Sequence, residues 1–355
     1  MQIKQTGFLD LMGMKNTRFV IPVFQRVYSW DARQCEELWE DVMNVGAQPE
    51  DRAEPHFMGM LLYSTDTETW NGAQQLDVID GQQRMTTVSL LLCALARYLD
   101  ETDGHVGDPA TGQLSAGDLF NRYLRTGSDT TSTGKLALSY MDRPTMFALL
   151  GLEDMPEAPA GRLIDNLELF FGKMQEPDFD AQRLWRGLQR LEVAGILLAH
   201  DDSPQLVFES LNSKGMALST GDRIRNYIVV ADEANGRETG GVFEGSWLPL
   251  EKMLAENASG TGTADLDITT VVHAWLAEPF RATRILDKAQ IYGLFKSKLR
   301  SDYNGDMQAL LADVTDYARK LMADEDFRTE QLHDAERWVA GKPKNLISEY
   351  KMFGD

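Results

Sequence analysis

The stretch Gln75-Leu-Asp-Val-Ile-Asp80 alternates polar and apolar side chains, and a few residues later Met85, Val88, Leu92, Leu95 and Leu99 fall on one helical stripe. A period of two gives way to a period of 3.6, with Asp80-Gly81-Gln82-Gln83-Arg84 at the change. This junction constrains the chain more than any other feature. A strand must deliver the backbone to a helix N-terminus, and the helix must find cover for its apolar side. His56-Phe-Met-Gly-Met-Leu-Leu-Tyr63 reads as a second, buried strand. Asp66–Ala73 reads as the turn region between them, which predicts a β-hairpin.

Upstream, Arg18-Phe-Val-Ile-Pro-Val-Phe24 is extended by composition, and Pro22 makes it an edge strand or irregular chain. Ser29-Trp30-Asp31 offers capping oxygens to a helix in which Cys35, Leu38, Trp39, Val42 and Met43 share one face. Glu101–Gly117 is loop-rich, and Leu191–Leu198 reads as a returning strand. A helix is expected to start within Asp202–Leu211, and Ser219 with Asp222 forms a capping-box variant ahead of Ile224–Val230. Gly236–Gly241 and Asn257–Gly262 read as linkers. The remainder is helical in period, for example Ile291, Leu294, Phe295 and Leu299. The expectation is an α+β fold: a small N-terminal unit over residues 1–105, a helical extension over 106–230 and a helical C-terminal domain over 231–355.

A helix N-terminus leaves backbone N–H groups unpaired and favours anions. Gly81 would let a ligand approach the backbone, Arg84 offers a forked cationic donor, and Thr86 and Thr87 add hydroxyls. Asp80 could hold magnesium or orient a water. The competing reading is a plain capped helix, with Asp80 as N-cap and Arg84 exposed in the first turn. Two further segments bear on the choice. Gln25 and Arg26, among Phe24, Tyr28 and Trp30, suit either an edge strand with a solvated arginine or a polar pair set into a cleft. Phe208-Glu-Ser-Leu-Asn-Ser-Lys-Gly215 is either turn chemistry or a place for Asn212 and Lys214 beside a ligand.

Charge narrows the field. With 35 Lys and Arg against 55 Asp and Glu, the net charge is −20, which excludes a broad basic coat for nucleic acid but leaves room for a local basic cleft. Two cysteines, Cys35 and Cys93, exclude a disulfide scaffold. The longest apolar run, Val88–Ala96, is too short to span a bilayer, and the N-terminus lacks a signal-peptide core, so a cytoplasmic protein without membrane contact is expected.

IPVFQRVYSW, HFMGMLLY, LDVIDGQQRMTTVSLLLCAL and VFESLNSKGMALSTGDRIRNYI, in this order across about Ile21–Val230, resemble the N-terminal domain of GmrSD-type modification-dependent restriction enzymes. The resemblance implies a core similar to ParB and sulfiredoxin that binds and hydrolyses nucleoside triphosphates with Mg2+, and so regulates an attached nuclease acting on modified DNA. Carried over by position, it gives Asp80, Gln82 and Arg84 the catalytic role, with Asp80 as the magnesium carboxylate. Gln25, Arg26, Gly81, Gln83, Thr86, Asn212, Lys214 and Gly215 would bind nucleotide. Complete relatives add an HNH nuclease domain. Here His56, His105, His200, His273 and His333 are scattered, with His273 in an apolar stretch that suits a core histidine. The nuclease is therefore expected on a separate subunit or on a part missing from a truncated chain. A non-enzymatic sensor of modified DNA or of a nuclease partner, a helical interaction scaffold, and a homo-oligomer remain open on the residues alone.

Overall fold

The computed structural model describes residues 2–22, 25–70, 73–109, 111–127, 132–198, 219–234, 241–261, 266–277 and 290–339. The chain divides into two compact units, Met1–Gly215 and Met216–Asp355. The fold is α+β, as expected, with its six-stranded mixed sheet in the first unit.

That unit begins with β1 (Gln2–Gly7) and the short α1 (Phe8–Met12), neither of which the sequence pattern announced. β2 (Thr17–Val20) stops before Pro22, and α2 (Ala32–Ala47) starts from Asp31 through a capping box with Gln34. Cys35, Leu38 and Val42 are buried on its inner face, while Trp39 and Met43 pack at the margin. β3 (His56–Trp70) and β4 (Ala73–Asp80) pair antiparallel as the expected hairpin. β3 continues through Asp66–Trp70, where a turn region was expected. α3 (Gln82–Glu101) follows. Next come the hairpin β5 (Val106–Asp108) and β6 (Gly112–Leu114), which correct the reading of Glu101–Gly117 as loop. α4 (Ala116–Leu119), a π-helical turn at Phe120–Leu124, and the two-residue strands β7 (Arg125–Thr126), β8 (Thr133–Gly134) and β9 (Leu136–Ala137) lead to α5 (Arg143–Leu149), α6 (Gly161–Met174) and α7 (Ala181–Gln189). β10 (Leu191–Leu198) returns where the sequence placed it.

Strand order is β1-β10-β3-β4-β2-β9. β10 runs parallel to β3 and antiparallel to β1, and β2 lies parallel between β4 and β9, so the segment before Pro22 is interior to the sheet. α3 is buried nearly all round: Val88, Leu91, Leu92, Leu95 and Ser89 are all closed off from solvent. A helix with that much cover sits at the centre of its unit. The core runs across residue 105, with Leu95 and Leu99 in the same cluster as Val106, Leu119 and Leu124.

α2 and α7 meet at two glycines. A Cβ on Gly187 would overlap the Val42 carbonyl, and one on Gly46 would overlap the Arg183 carbonyl. At this crossing Arg183, Arg186 and Arg190 donate to the carbonyls of Met43, Gly46, Val45 and Gln48, which satisfies the end of α2.

The second unit is helical throughout its described residues. α8 (Thr220–Ala234) starts from the Ser219–Asp222 capping box: Ser219 Oγ donates to Asp222 at 2.7 Å and accepts from the Asp222 N–H. A π-helical turn at Phe243–Trp247 leads into α9 (Leu248–Thr261), so the helix persists across most of Asn257–Gly262, where a linker was expected. α10 (Ile268–Ala277), α11 (Ile291–Ser301), α12 (Met307–Ala323) and α13 (Glu325–Val339) complete it. Ile224, Ile228, Trp247, Val272, Phe295, Leu310 and Val314 form its core. His273 is buried, as read from the sequence. A buried ion cluster ties α8 to α9: Arg225 bonds Glu251 and lies 3.5 Å from Asp222. Burial raises the Glu251 pKa, and Arg225 pulls it back down. No described helix is long and apolar enough to cross a membrane.

Candidate functional site: a glutamine-clasped helix N-terminus

The centre of the first unit is the junction where β4 becomes α3. Gly81 is the N-cap, in the left-handed region at φ 96°, and no side chain caps the helix. The plain capped-helix reading, with Asp80 as N-cap, is thereby corrected. Only glycine takes this φ without strain. A side chain at Gly81 would also press on Leu61, 3.1 Å from a Cβ. The first-turn N–H groups thus begin at a sharp turn with backbone close at hand and the positive end of a long helix behind them.

Arg84 is neither exposed nor free. Its guanidinium donates to the Met58 carbonyl at 2.6 Å and lies 3.5 Å from Asp80, one helical turn back. It passes over Gly59, which has φ 99° and whose missing side chain is what admits Nη1. Burial lowers the Arg84 pKa, and the Asp80 charge offsets part of that. A guanidinium remains charged under such a shift. The result is a cation fixed in direction at a helix N-terminus.

The Gln25–Trp30 segment crosses this junction as a strap, held by two glutamines of α3. Gln25 Nε2 donates to the Ile79 carbonyl at 2.9 Å, and Gln25 Oε1 accepts from Gln82 Nε2 at 3.2 Å. Gln83 uses both ends of its amide: Oε1 accepts from the Ser29 N–H at 2.8 Å, and Nε2 donates to the Val27 carbonyl at 3.3 Å. Gln25, Gln82 and Gln83 are all buried. Behind the strap, Tyr28 is anchored by the Asp142 carboxylate at its N–H, and by Thr87 and Asn166 at its hydroxyl. Burial pushes the Tyr28 phenol far up, so it stays protonated.

Residues separated by more than fifty positions thus meet at one place: Gln25 and the strap it opens, and Asp80 through Arg84. Arg26 follows Gln25 in the strap. Arg26 is half-buried and has no ion-pair or hydrogen-bonding side-chain partner among the described residues. Gln82 Oε1 likewise accepts no hydrogen bond from them, whereas its Nε2 is committed to Gln25. The Thr86 and Thr87 hydroxyls turn their protons back to the carbonyls of Gln82 and Gln83, both at 2.8 Å, and so brace the first turn. Asn212, Lys214 and Gly215 lie outside the described residues.

Three anchors were not anticipated: Asp142, Asn166 and Arg162, which donates to the Ser29 carbonyl. No local pattern marks them, since each acts on a strap more than a hundred residues away. The buried network around Tyr28 could have been suspected only from the surplus of polar residues in otherwise apolar helices.

The groups gathered here suit an anion. They are one cation fixed by Asp80 and Met58, an uncapped helix N-terminus and an amide oxygen open to a donor, with Arg26 in the adjoining strap. Magnesium fits only in a limited way. Asp80 can present one carboxylate, and no group of three or more His, Cys, Asp or Glu that could hold a metal occurs among the described residues. Such a site suits an ion that keeps most of its ligands from water and from phosphate oxygens.

No curated protein matches the chain. A family model described as GmrSD restriction endonuclease, N-terminal domain, matches residues 8–229. That span opens at α1, includes the strap, the β4–α3 junction and every anchor named above, and ends within α8. Since it takes in well over half of the sequence, the chain belongs to the GmrSD N-terminal domain family, the family of restriction systems acting on modified DNA.

Proposed function

We propose that the clasped junction binds the phosphates of a nucleoside triphosphate, hydrolyses it, and uses that turnover to regulate a nuclease partner of the restriction system. One observation carries the reading: α3 opens at a left-handed glycine with no side-chain cap, and a half-buried arginine is locked beside it. Arg84 and the first-turn N–H groups hold phosphate oxygens, with Arg26 as the second cation. Gln82 Oε1 accepts from the attacking water, and its Nε2 bond to Gln25 fixes its direction. Gln83 and Thr86 act by position, holding the strap and the first turn. Bound magnesium, supplied with the triphosphate, would share charge with it, and Asp80 is the residue to hold it. The Asn212–Gly215 motif is assigned to the same ligand by family resemblance alone.

The test is equilibrium binding of each of the four triphosphates with magnesium, with phosphate release measured with and without DNA, on wild type and Arg84→Ala. Loss of a charge-assisted hydrogen bond costs about 1.5–3 kcal/mol, roughly 10–150-fold in affinity. Arg97, on the same helix, is a poor reference because its guanidinium donates to the Leu149 carbonyl at 2.8 Å. Arg33, on the surface with 73% of its side chain exposed, serves instead. Arg84→Lys retains the charge and controls for removal of the forked donor to Met58. Equal affinity in wild type, Arg84→Ala and Arg33→Ala would overturn the proposal.

A further inference from the structure

The second unit carries a cationic face that the nucleotide reading does not use. α11 has Lys296, Lys298 and Arg300 and no acidic residue within Ile291–Ser301, in a chain of net charge −20. Tyr292, Lys296 and Arg300 recur every fourth residue and so form one stripe. α8 packs beside it and contributes Arg223 and Tyr227, again four apart. The two tyrosine rings meet edge-to-face at 6.3 Å. Arg223 lies over the Tyr292 ring at 4.3 Å, and Lys296 lies 4.9 Å from the Tyr227 centroid. A ring orients a cation without cancelling its charge.

Among the described residues, acidic groups of α8, α9 and the end of α11 are engaged elsewhere. Asp222 and Glu251 are taken by Arg225, Asp232 caps the Val242 and Phe243 N–H groups, and Asp302 pairs with Lys298. Among the described residues, Arg223, Lys296 and Arg300 have no carboxylate within ion-pair distance. Arg223 and Arg300 are exposed, and Lys296 is half-exposed. Three cations thus share one face without an ion-pair partner among the described residues, and two of them, Arg223 and Lys296, are oriented by aromatic rings. Repulsion from its distant acidic groups is screened beyond about 10 Å at 0.1 M salt, so the local face decides what it meets.

We infer that this α8–α11 face contacts the phosphate backbone of duplex DNA. The inference rests on the chain's place in a DNA-directed restriction system and on charge complementarity, and not on nucleotide binding at Arg84. Contacts of this kind are independent of sequence and of base modification.

The experiment is fluorescence anisotropy of the full chain with a labelled, unmodified duplex, across a salt series. The variant combines Arg223→Gln, Lys296→Gln and Arg300→Gln, and the reference combines Arg33→Gln and Arg52→Gln in the first unit. Each cation–phosphate pair removed should reduce the slope of log affinity against log salt by about 0.9, so by up to roughly 2.7 for three, with affinity at low salt falling tenfold or more. The reference variant should bind like wild type. Unfolding midpoints establish that each variant is folded, and triphosphate binding, measured separately, reports on the first-unit site. Three results would overturn the inference: no binding by wild type at low salt, an unchanged slope in the triple variant, or an equal loss in the reference. Inhibition by an acidic polypeptide without any effect of the substitutions on DNA would also count against it, since the face would then serve a protein.

Discussion

Gly187→Ala is the substitution for which the structure gives the clearest magnitude. In most helices this exchange is favourable by about 0.5–1 kcal/mol, because alanine loses less backbone freedom on folding. At Gly187 the new methyl would overlap the Val42 carbonyl oxygen and would lie 2.8 Å from both the Val42 carbonyl carbon and Cγ1. Ordinary contact begins at 3.4 Å, so α2 and α7 must part by at least about 0.6 Å. The obstacle is backbone, which cannot rotate away. Parting the helices also stretches the arginine bonds from α7 to the end of α2. Overpacking of a tight core costs about 1–3 kcal/mol, and weakening two or three hydrogen bonds adds about 1 kcal/mol. After the propensity gain, the net loss is about 1–3 kcal/mol. Gly172→Ala in α6 is the matched control, since nothing lies within 4 Å of a Cβ there. It should be neutral or stabilising by up to about 1 kcal/mol. Urea unfolding followed by tryptophan fluorescence measures both, and Trp185 sits on α7 itself. The two glycines are expected to move the midpoint in opposite directions. If Gly187→Ala is as stable as Gly172→Ala, the helices do not cross at backbone contact and the packing argument fails.

Gln83→Ala should free the strap, removing the part-buried bonds to the Ser29 N–H and the Val27 carbonyl at about 0.5–1.5 kcal/mol each, and faster amide exchange at Val27–Ser29 measures it. Arg225→Met should strip the counter-charge from Asp222 and Glu251 and destabilise the second unit by about 3–5 kcal/mol. Adding Glu251→Leu and Asp222→Asn should recover part of that in the same thermal melt. Lys135 is buried with its ammonium on the Arg122 carbonyl, and burial lowers its pKa to about 8 from 10.5. The folded state therefore gives up its proton first, so wild-type stability relative to Lys135→Met should rise between about pH 8 and 10.5. A constant difference across that range, measured by unfolding midpoints, would show that Lys135 titrates normally.

Much of this was legible beforehand, for identifiable reasons. Periodicity found β3, β4, α3 and β10, because strands and helices with one strongly buried side leave a regular imprint. β10 matches at both ends, since Leu191–Leu198 is rich in apolar and β-branched residues, with Gln189-Arg190 before it and His200-Asp201-Asp202 soon after. The imprint fails where burial is slight. β1 is an edge strand whose Ile3 is 64% exposed, so it carries no alternating apolar face to detect. The β5–β6 hairpin is three residues a side and looks like loop for lack of length. At the site, chemistry-bearing residues stood out by motif, and their convergence at the β4–α3 junction followed from the resemblance. What could not be read was the division of labour among them. The sequence does not tell a glutamine that faces a ligand from one whose two amide ends are spent on a strap, as with Gln83. One of the two readings of the junction put Asp80 at the cap, where the left-handed turn at Gly81 excludes it.

The pairing of β1 with β10 has a consequence for the order in which the molecule can be made. Gln2 pairs with Leu197 and Gly7 with Glu192, so β1 leaves the ribosome and then waits for almost the last residues of its unit. At about 5–20 residues per second, that interval is roughly 10–40 s. The β3–β4 hairpin and α3 can assemble early, since they are adjacent in sequence. Until β10 arrives, however, β3 has a bare edge along His56–Ser64, the run that later takes the parallel strand. An unpaired apolar edge is a template for other chains. Nascent chains on neighbouring ribosomes would be close enough to pair there. Fragments ending before Leu198 should therefore accumulate as aggregates, while a chain extended past that residue closes its own edge.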